Sequence, residues 1–445
     1  MLPRLTVPAS LAALLAVFRP MFTAPSYRTF CALTCGLIAA GGRRTVTGML
    51  VGARLARVWH HSRGHSFFAY ARWSPDRLGL ALLGLIVARL VPAEAPIELA
   101  VDDTLFRRRG RRVHAAVWTP DGSAPRHGIG YGNRWVICAV LVDLPFLTRP
   151  VALPVLFRLW AGKGTATPVQ LAVELVQLVA AGFPGRRIEV VTDAAYSSAA
   201  LRTLPAQVGW TLRLRRTACL HGPTPPRTGR RGRPRQRGQR LGTAAELAAL
   251  AAFAPAQVHG YGTGHRVELA VVACLWWQPL GTRPCRLVLL RGWHPDRRFA
   301  ARGYDLALLS TDPTSTPEAL IARYAARWAI EVAIHDAKQI TGAGQTRVRT
   351  RRAVERTVPF ALLIQALVVL WYAGHGNPAA DLAAARAAAP WYSTKTEPCY
   401  ADMHTSLRRT LIAAPISPAT PQAPTDAEIR AVLTAWSAAD PALAA

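Results

Sequence analysis

The residues best placed to do chemistry together lie in segment 324–338, which reads YAARWAIEVAIHDAK. At about 100° per residue, one narrow stripe of a helix carries Tyr324, Arg327, Glu331 and Lys338. Glu331 could bind a divalent metal ion at a phosphodiester, with Arg327 and Lys338 contacting phosphates and Tyr324 hydrogen-bonding nearby. The alternative is a solvated helix face on which these charges pair with one another.

Further acids stand at the ends of two apolar segments that are predicted to be strands. Asp102 and Asp103 close the segment IELAVDD, and Asp193 closes the strand in IEVVTDAAY, 91 residues after Asp102 (193 minus 102). Neighbouring strands lie about 4.8 Å apart, so both carboxylates could reach one site. For a single Asp, capping of the following turn or helix is the competing explanation. Because adjacent side chains point to opposite faces of a strand, Asp102 and Asp103 cannot serve equally.

The elements around these acids follow the order of an RNase H-like α/β core. Three antiparallel strands are predicted first: IELAVDD, RRVHAAVWT and RWVICAVLVDL. A helix at 168–181 follows with Thr167 as its N-cap, then the strand containing Asp193, a helix from Ser197 and the strand WTLRLR. This order predicts that the strands bearing Asp102 and Asp193 are neighbours.

The chain divides into five predicted segments around this core. The first is a helical N-terminal DNA-binding domain at 1–95, in which Arg43 and Arg44 contact phosphates. The core occupies 96–215 and 306–375, and its second part carries the Glu331 helix. A basic arm and strand-rich insertion at 216–305 lies between them, and a helical and linker region at 376–445 ends the chain, with a short helix at 426–438.

Composition points to a polyanionic partner. The 54 Lys and Arg against 25 Asp and Glu give a net charge of +29, which favours nucleic acid first and an anionic membrane second. Two apolar runs, 78–91 and 358–374, are interrupted by polar residues or proline and fall short of about 20 clean apolar residues, so buried helices are predicted and no membrane partner. The seven cysteines contain no C-x-x-C pair, which fits a reducing compartment without disulfides or structural zinc.

Two basic segments are candidates for DNA contact. Arg231 and Arg233 belong to an R-G-R-P sequence similar to that of minor-groove AT-hooks, in an Arg, Gly and Pro-rich stretch predicted to be an extended arm. After Glu331, a basic edge suited to tracking a DNA backbone contains Arg347, Arg349, Arg351, Arg352 and Arg356.

The spacing of Tyr324, Arg327, Glu331 and Lys338 resembles the Y-R-E-K signature of one branch of insertion-sequence DDE transposases. Asp102 in VDDT and Asp193 in VTDAAY resemble the first two acids of their catalytic triad; Asp102 is chosen over Asp103 because it precedes the D-T pair in the family's manner. The resemblance runs from about residue 43 to residue 356.

This resemblance implies a DNA transposase. Asp102, Asp193 and Glu331 would hold two Mg²⁺ or Mn²⁺ ions, and Trp276 or Trp277 in the insertion would stack on a base flipped from the DNA. The expected partners are double-stranded DNA, as element terminal repeats and as target, and a second copy of the chain in a homodimer on paired ends. The expected location is the bacterial cytoplasm, at the nucleoid. A catalytically inactive or recruited DNA-binding protein, and an RNase H-like endonuclease without strand transfer, are the alternatives.

Overall fold

The structure is a computed structural model that describes residues 7–122, 128–226, 234–293 and 303–413. Arg231 and Arg233 of the predicted AT-hook-like sequence lie outside these residues, and so does the helix predicted at 426–438. The elements described below account for the N-terminal region, the sheet and the helices that position Glu331.

Among the described residues of the N-terminal region, from 7 onwards, there are five α-helices: α1 (Ala9–Ala16), α2 (Ala24–Ala39), α3 (Val46–Gly52), α4 (Ser62–Ala69) and α5 (Pro75–Leu90). Serine or threonine caps set two of their starts, because Thr45 accepts from Gly48 N in front of α3 and Ser74 from Arg77 N in front of α5. Their apolar faces share one hydrophobic core with the sheet and with the long helix at Arg351–His375. The helical prediction for this region is therefore confirmed, while its role in DNA binding stays a prediction.

One mixed sheet of ten strands runs through the described chain, in the order β2-β3-β1-β5-β6-β12-β11-β10-β9, with β4 also paired to β3. The strands of its first half are β1 (Ile97–Arg107), β2 (Val117–Pro120), β3 (Ile129–Val142), β4 (Val151–Trp160), β5 (Ile188–Thr192) and β6 (Val208–Arg213). The strands β4, β3 and β1 are antiparallel, and β5 and β6 run parallel to β1. The order β4-β3-β1-β5-β6 is that of an RNase H-like core.

The predicted strand set differs from the observed one at two places. The segment RRVHAAVWT forms only the short strand β2 at one end of β3, and the third core strand is β4, which was not predicted. Pro154 in β4 argued against a strand because proline cannot donate to a ladder. The structure accommodates it in β4, which pairs only with β3, next to the register shift between Cys138 and Ala139.

The region 216–305 extends the same sheet. Its elements are β7 (Leu220–His221), β8 (Arg240–Gly242), α7 (Ala244–Leu250), β9 (Ala254–Gly260), β10 (Thr263–Cys274), α8 (Trp277–Leu280) and β11 (Cys285–Arg291). The strand β12 (Leu306–Ser310) then pairs with β6 and closes the connection back to the core. Strands beyond β6 therefore continue the core sheet through β12, and β7 and β8 form a separate two-stranded sheet.

Helices cover the sheet. The helix α6 (Pro168–Gly182) has Thr167 as its N-cap, as predicted, and Thr167 forms a capping box with Gln170. The later helices are α9 (Pro317–Ala326), α10 (Trp328–Asp336), α11 (Arg351–His375), α12 (Pro378–Ala388) and α13 (Tyr400–Ala413). A π-helical turn at Ala337–Thr341 follows α10. It ends at Gly342, whose φ of 74° is left-handed, a conformation that glycine adopts without strain.

The helix α11 is long and apolar enough to cross a membrane by length and composition alone. However, 89% of its most apolar window is buried inside the protein. Its Gln365 side chain donates to the Ala333 carbonyl of α10, and Arg356 donates to three carbonyls of the α4–α5 region, including that of Trp73. These contacts make α11 the central core helix that supports the Glu331 helix from behind.

Candidate active site

Asp102 and Asp193 are brought together by the register of two parallel strands. Ile97 pairs with Ile188 and Ala100 with Val191, and both pairs are separated by 91 residues (188 minus 97), as Asp102 and Asp193 are. Side chains at equivalent positions of parallel strands point to the same face. Asp193 follows β5 directly, whereas β1 continues past Asp102 and Asp103 to Arg107, so the prediction that these two acids close the first strand was wrong.

Arg327 connects Asp102 to Glu331. One guanidinium nitrogen, Nη1, lies 3.4 Å from Asp102 Oδ2, and the other, Nη2, donates to Glu331 Oε1 across 2.8 Å. Arg327 stands at the junction of α9 and α10 with helical φ and ψ, so the helical path continues through it from Tyr324 to Glu331. The two carboxylates are thus separated by little more than the width of one guanidinium group.

The surroundings of Asp102 raise the pKa of its carboxyl group. Burial raises the pKa of Asp102 to about 7, although the Arg327 guanidinium acts in the opposite direction. The nearby carboxylates of Asp103 and Asp193 contribute to the rise. A cation placed at this position would reverse that balance.

Asp103 points to the opposite face of β1 and is already engaged. Its carboxylate accepts two hydrogen bonds from Arg134, at 2.5 and 3.0 Å, and a third from the Tyr196 hydroxyl at 3.1 Å. This bidentate pairing fixes Asp103 between β3 and the turn after β5. Of the two adjacent acids, Asp102 is the one that faces Arg327 and Glu331.

Lys338 and Tyr324 lie at the two ends of the same helix face. Lys338 Nζ donates to Thr104 Oγ1 across 2.7 Å and lies 5.4 Å from the centre of the Phe106 ring. Thr104 and Phe106 follow Asp102 on the same face of β1. Desolvation lowers the pKa of Lys338 and raises that of Tyr324, whose ring lies under the Arg327 guanidinium at 5.7 Å. The predicted stripe therefore faces β1 rather than solvent.

A second set of acids lies on the same two strands, four residues before Asp102 and Asp193, and the sequence analysis did not predict it. Glu98 pairs with Glu189 in the β1–β5 register, and Arg323 donates to both, at 2.8 and 3.4 Å. Arg323 also donates to Asp312 across 3.1 Å, and Arg187 contacts the same carboxylate. Burial alone would raise the pKa of Asp312, but hydrogen bonds from the Ser315 side chain, from the 314–315 backbone and from Arg323 hold it well below its usual range.

The signal for this network was present in the sequence. Both strands carry the pattern I-E-x-x-x-D, as IELAVD and IEVVTD, and Arg323 precedes Arg327 by four residues. Period-two alternation places each Glu on the same face as its Asp, and i,i+4 spacing places both arginines on one helix face. Gly209 of β6 leaves room for this arrangement, because a Cβ there would lie 2.0 Å from Glu189 Oε2. The network pins α9 to the sheet and thereby positions Glu331.

The three acids fit a divalent cation by their chemistry. Within the residues that the structure describes, no three His, Cys, Asp or Glu side chains are close enough to hold a metal ion as they stand. The Arg327 guanidinium lies between Asp102 and Glu331, where it supplies the positive charge that the carboxylates need. Its Nε is buried and has no hydrogen-bond partner in the described part of the chain. Oxygen ligands of this kind suit Mg²⁺ or Mn²⁺.

Segment 342–351 gathers basic residues at the Lys338 end of the site. Its Gln345 side chain accepts from Arg44 N at 2.8 Å, and its Arg349 carbonyl accepts from His114 N at 2.9 Å. The exposed arginines here come from three parts of the sequence and include Arg43, Arg109, Arg347, Arg349 and Arg351. Arg44 is half-buried and desolvation lowers its pKa, so it contributes less to this surface.

Other predicted contacts lie in different surroundings. Trp276 is 7% exposed and packs in the core, so its ring offers no exposed face on which a base could stack. Trp277 is half-buried beside the Arg237 guanidinium, 5.5 Å from the ring centre. Arg356, predicted to belong to the DNA-tracking edge, is buried, and desolvation lowers its pKa to about 10. The carbonyls that accept from it explain this position.

Two comparisons with known proteins bear on the site. A family model described as DDE superfamily endonuclease matches residues 17–266, more than half of the 445 residues. The match includes Asp102 and Asp193 and ends before Glu331. No curated protein matches the chain.

Proposed function

Because the chain belongs to the DDE superfamily endonucleases, a family of nuclease and transposase enzymes that act on DNA with divalent metals, we propose that it is a DNA transposase. It would cleave the ends of a mobile element and join the freed 3′-OH to target DNA. The Y-R-E-K spacing supports the insertion-sequence branch carrying that signature.

The observation that carries this proposal is the arrangement of Asp102, Asp193 and Glu331. The strand register aligns the first two acids, and the Arg327 bridge links the first to the third. Asp103 is engaged by Arg134 and Tyr196 on the other face, which supports Asp102 as the ligand. The first alignment follows from the backbone register of β1 and β5, and the second from two side-chain ion pairs of Arg327.

Asp102, Asp193 and Glu331 would hold two Mg²⁺ or Mn²⁺ ions. When bound, such ions lower the pKa of an attacking water and stabilise the leaving oxygen of the phosphodiester. Arg327 would then exchange its carboxylate partners for a phosphate oxygen, which also gives its orphaned Nε an acceptor. An unsatisfied buried donor costs about 1–3 kcal/mol, so an acceptor for Nε would offset part of the loss of the two carboxylate contacts. Lys338 would contact the adjacent phosphate, and Tyr324 would support the Arg327 guanidinium.

The remaining features of the proposal concern DNA and assembly. The exposed arginines around segment 342–351 would neutralise the backbone of the terminal repeat, and Arg231, Arg233 and Trp277 are further candidates for DNA contact. Because two element ends must be cut together, a homodimer on paired ends is proposed. The protein would act at the nucleoid, in the bacterial cytoplasm.

The test is a cleavage assay with Mg²⁺ on the DNA that flanks the gene. The wild-type chain should nick this DNA to leave a 3′-OH, and precut ends should become joined to a target plasmid. Glu331→Ala should retain binding to the same DNA and lose cleavage. Cleavage by Glu331→Ala at the wild-type rate contradicts the assigned site, binding without any cleavage identifies an inactive DNA-binding protein, and cleavage without joining identifies an endonuclease.

A further inference from the structure

A pair of aromatic side chains, Trp118 on β2 and Tyr131 on β3, lies outside the proposed active site. The two residues are directly opposite in the strand register, with ring centroids 5.4 Å apart and an angle of 48° between the planes. Trp118 is 72% exposed, although a tryptophan ring usually buries most of its surface. Tryptophan and tyrosine are enriched at interfaces, and the surroundings of this pair decide which partner it suits.

The aromatic pair lies on the same face of the sheet as Asp102. Ile137 is opposite Asp102 and Trp135 is opposite Thr104, so the odd-numbered residues of β3 share the face of Asp102. Tyr131 continues this row, and its carbonyl accepts from Arg108 N, which lies six residues beyond Asp102. At about 3.3 Å per residue, the pair is about 20 Å from Asp102 along the strand direction.

Positive charge surrounds the pair. The Tyr131 hydroxyl approaches the carbonyls of Gly110 and Arg111, at 3.5 and 3.4 Å, and so holds the loop 109–112 against the hairpin. The exposed residues of this loop include Arg109, Arg111 and Arg112. The Arg349 carbonyl accepts from His114 N, which joins the loop to the basic segment 342–351. A planar aromatic surface beside several guanidinium groups suits nucleic acid, because bases stack on rings and phosphates pair with cations.

We propose that Trp118, with Tyr131 beside it, stacks on an unpaired base of the DNA, while the arginines of loop 109–112 contact its phosphates. This inference rests on the proposed function, since it places the contact on the DNA that enters the site at Asp102. A distance of about 20 Å corresponds to about six nucleotide steps of about 3.4 Å. Bases inside a duplex present only their edges, so stacking selects a single strand or a strand end.

The experiment measures the binding of fluorescein-labelled oligothymidylate by anisotropy, with EDTA present so that cleavage plays no part. The full-length chain is compared with Trp118→Ala, Trp118→Phe and the control Trp391→Ala, which removes another exposed Trp, 73% exposed. Trp118→Ala should weaken binding about tenfold, as expected for the loss of one stacked base. Trp118→Phe should bind within about twofold of wild type because it retains a ring, and Trp391→Ala should not differ from wild type.

Two further measurements complete the test. The dependence of binding on salt should keep its slope in Trp118→Ala, because Trp118 neutralises no phosphate. Photocrosslinking of oligonucleotides that carry 5-iododeoxyuridine should label the tryptic peptide 113–126, which contains Trp118. Unchanged affinity of Trp118→Ala, or crosslinks confined to other peptides, overturns the inference and leaves the proposed function standing. If the wild-type chain binds DNA through Trp118 but does not cleave it, the transposase proposal is wrong and the stacking role of Trp118 still stands.

Discussion

Asp102 and Asp193 occupy equivalent positions along the adjacent parallel strands β1 and β5. The register that pairs Ala100 with Val191 reaches these two acids two residues further on, where β5 has just ended. The nearby Asp193 carboxylate accordingly contributes to the raised pKa of Asp102.

The adjacent acids Asp102 and Asp103 should respond differently to the same substitution. Asp102→Asn removes a proposed metal ligand and should lower Mg²⁺-dependent cleavage of gene-flanking DNA by about a thousandfold or more, with little change in melting temperature. Asp103→Asn leaves Arg134 without its carboxylate and should cost about 1–3 kcal/mol of stability. Cleavage rates and urea unfolding of both variants check this. Equal loss of cleavage in two stably folded variants would contradict the assignment of Asp102.

Substitution of Arg323 should lower the free energy of unfolding more than substitution of Arg291, although both arginines pair with acids. Arg323→Met leaves Glu98, Glu189 and Asp312 without a shared partner in the interior, and breaking a buried pair of this kind costs about 3–5 kcal/mol. The control is Arg291→Met, which removes an exposed pair with Glu268 and should leave stability unchanged. Chemical denaturation of both variants measures the difference. Similar unfolding midpoints for the two would count against a network that pins α9 to the sheet.

His404 should make the protein sensitive to acid. Burial lowers the pKa of His404 to about 3, helped by the nearby Arg44 and Arg408. Because the unfolded chain takes up a proton near pH 6.5 and the folded chain does not, stability falls as pH drops below about 6.5. The loss between pH 7 and pH 5 should be about 2 kcal/mol.

A substitution separates this contribution from other titrating groups. The pH dependence of urea unfolding should be smaller in His404→Gln and unchanged in the control His375→Gln, which alters an exposed histidine. An identical loss of stability in wild type and His404→Gln would show that other groups control acid unfolding.

The arginines that follow Lys338 should contact DNA through phosphates. Replacing Arg347 and Arg349 together by Gln should reduce the slope of log K against log salt by about 1.8, since each phosphate contact contributes about 0.9. The control is Arg89→Gln, which alters an exposed arginine at the end of α5. This arginine precedes the start of β1, whereas the basic segment 342–351 lies near the end of β1. Anisotropy titrations of a duplex at several salt concentrations test this. Equal slopes for the double variant and wild type would exclude these two residues from the interface.

Local sequence signals were sufficient where a structure depends on neighbours along the chain. Thr167 and Gln170 start α6 as their types indicate, because a capping box needs only residues within one turn. The spacing of Tyr324, Arg327, Glu331 and Lys338 likewise indicated one helix face, since helical periodicity is local. By contrast, β4 was missed because Pro154 argues against a strand until the irregular pairing with β3 is known.

The sequence by itself determined the candidate acids, their alternation along the strands and the positive charge that suits DNA. Only the tertiary structure decided that Asp102 rather than Asp103 faces Glu331, that Arg327 lies between the two carboxylates, and that Trp276 is buried. The physical reason is that strand register and helix packing join residues more than 200 positions apart, as in the contact of Arg327 with Asp102. Such contacts are fixed by the burial of the whole core, and no local pattern of residues encodes them.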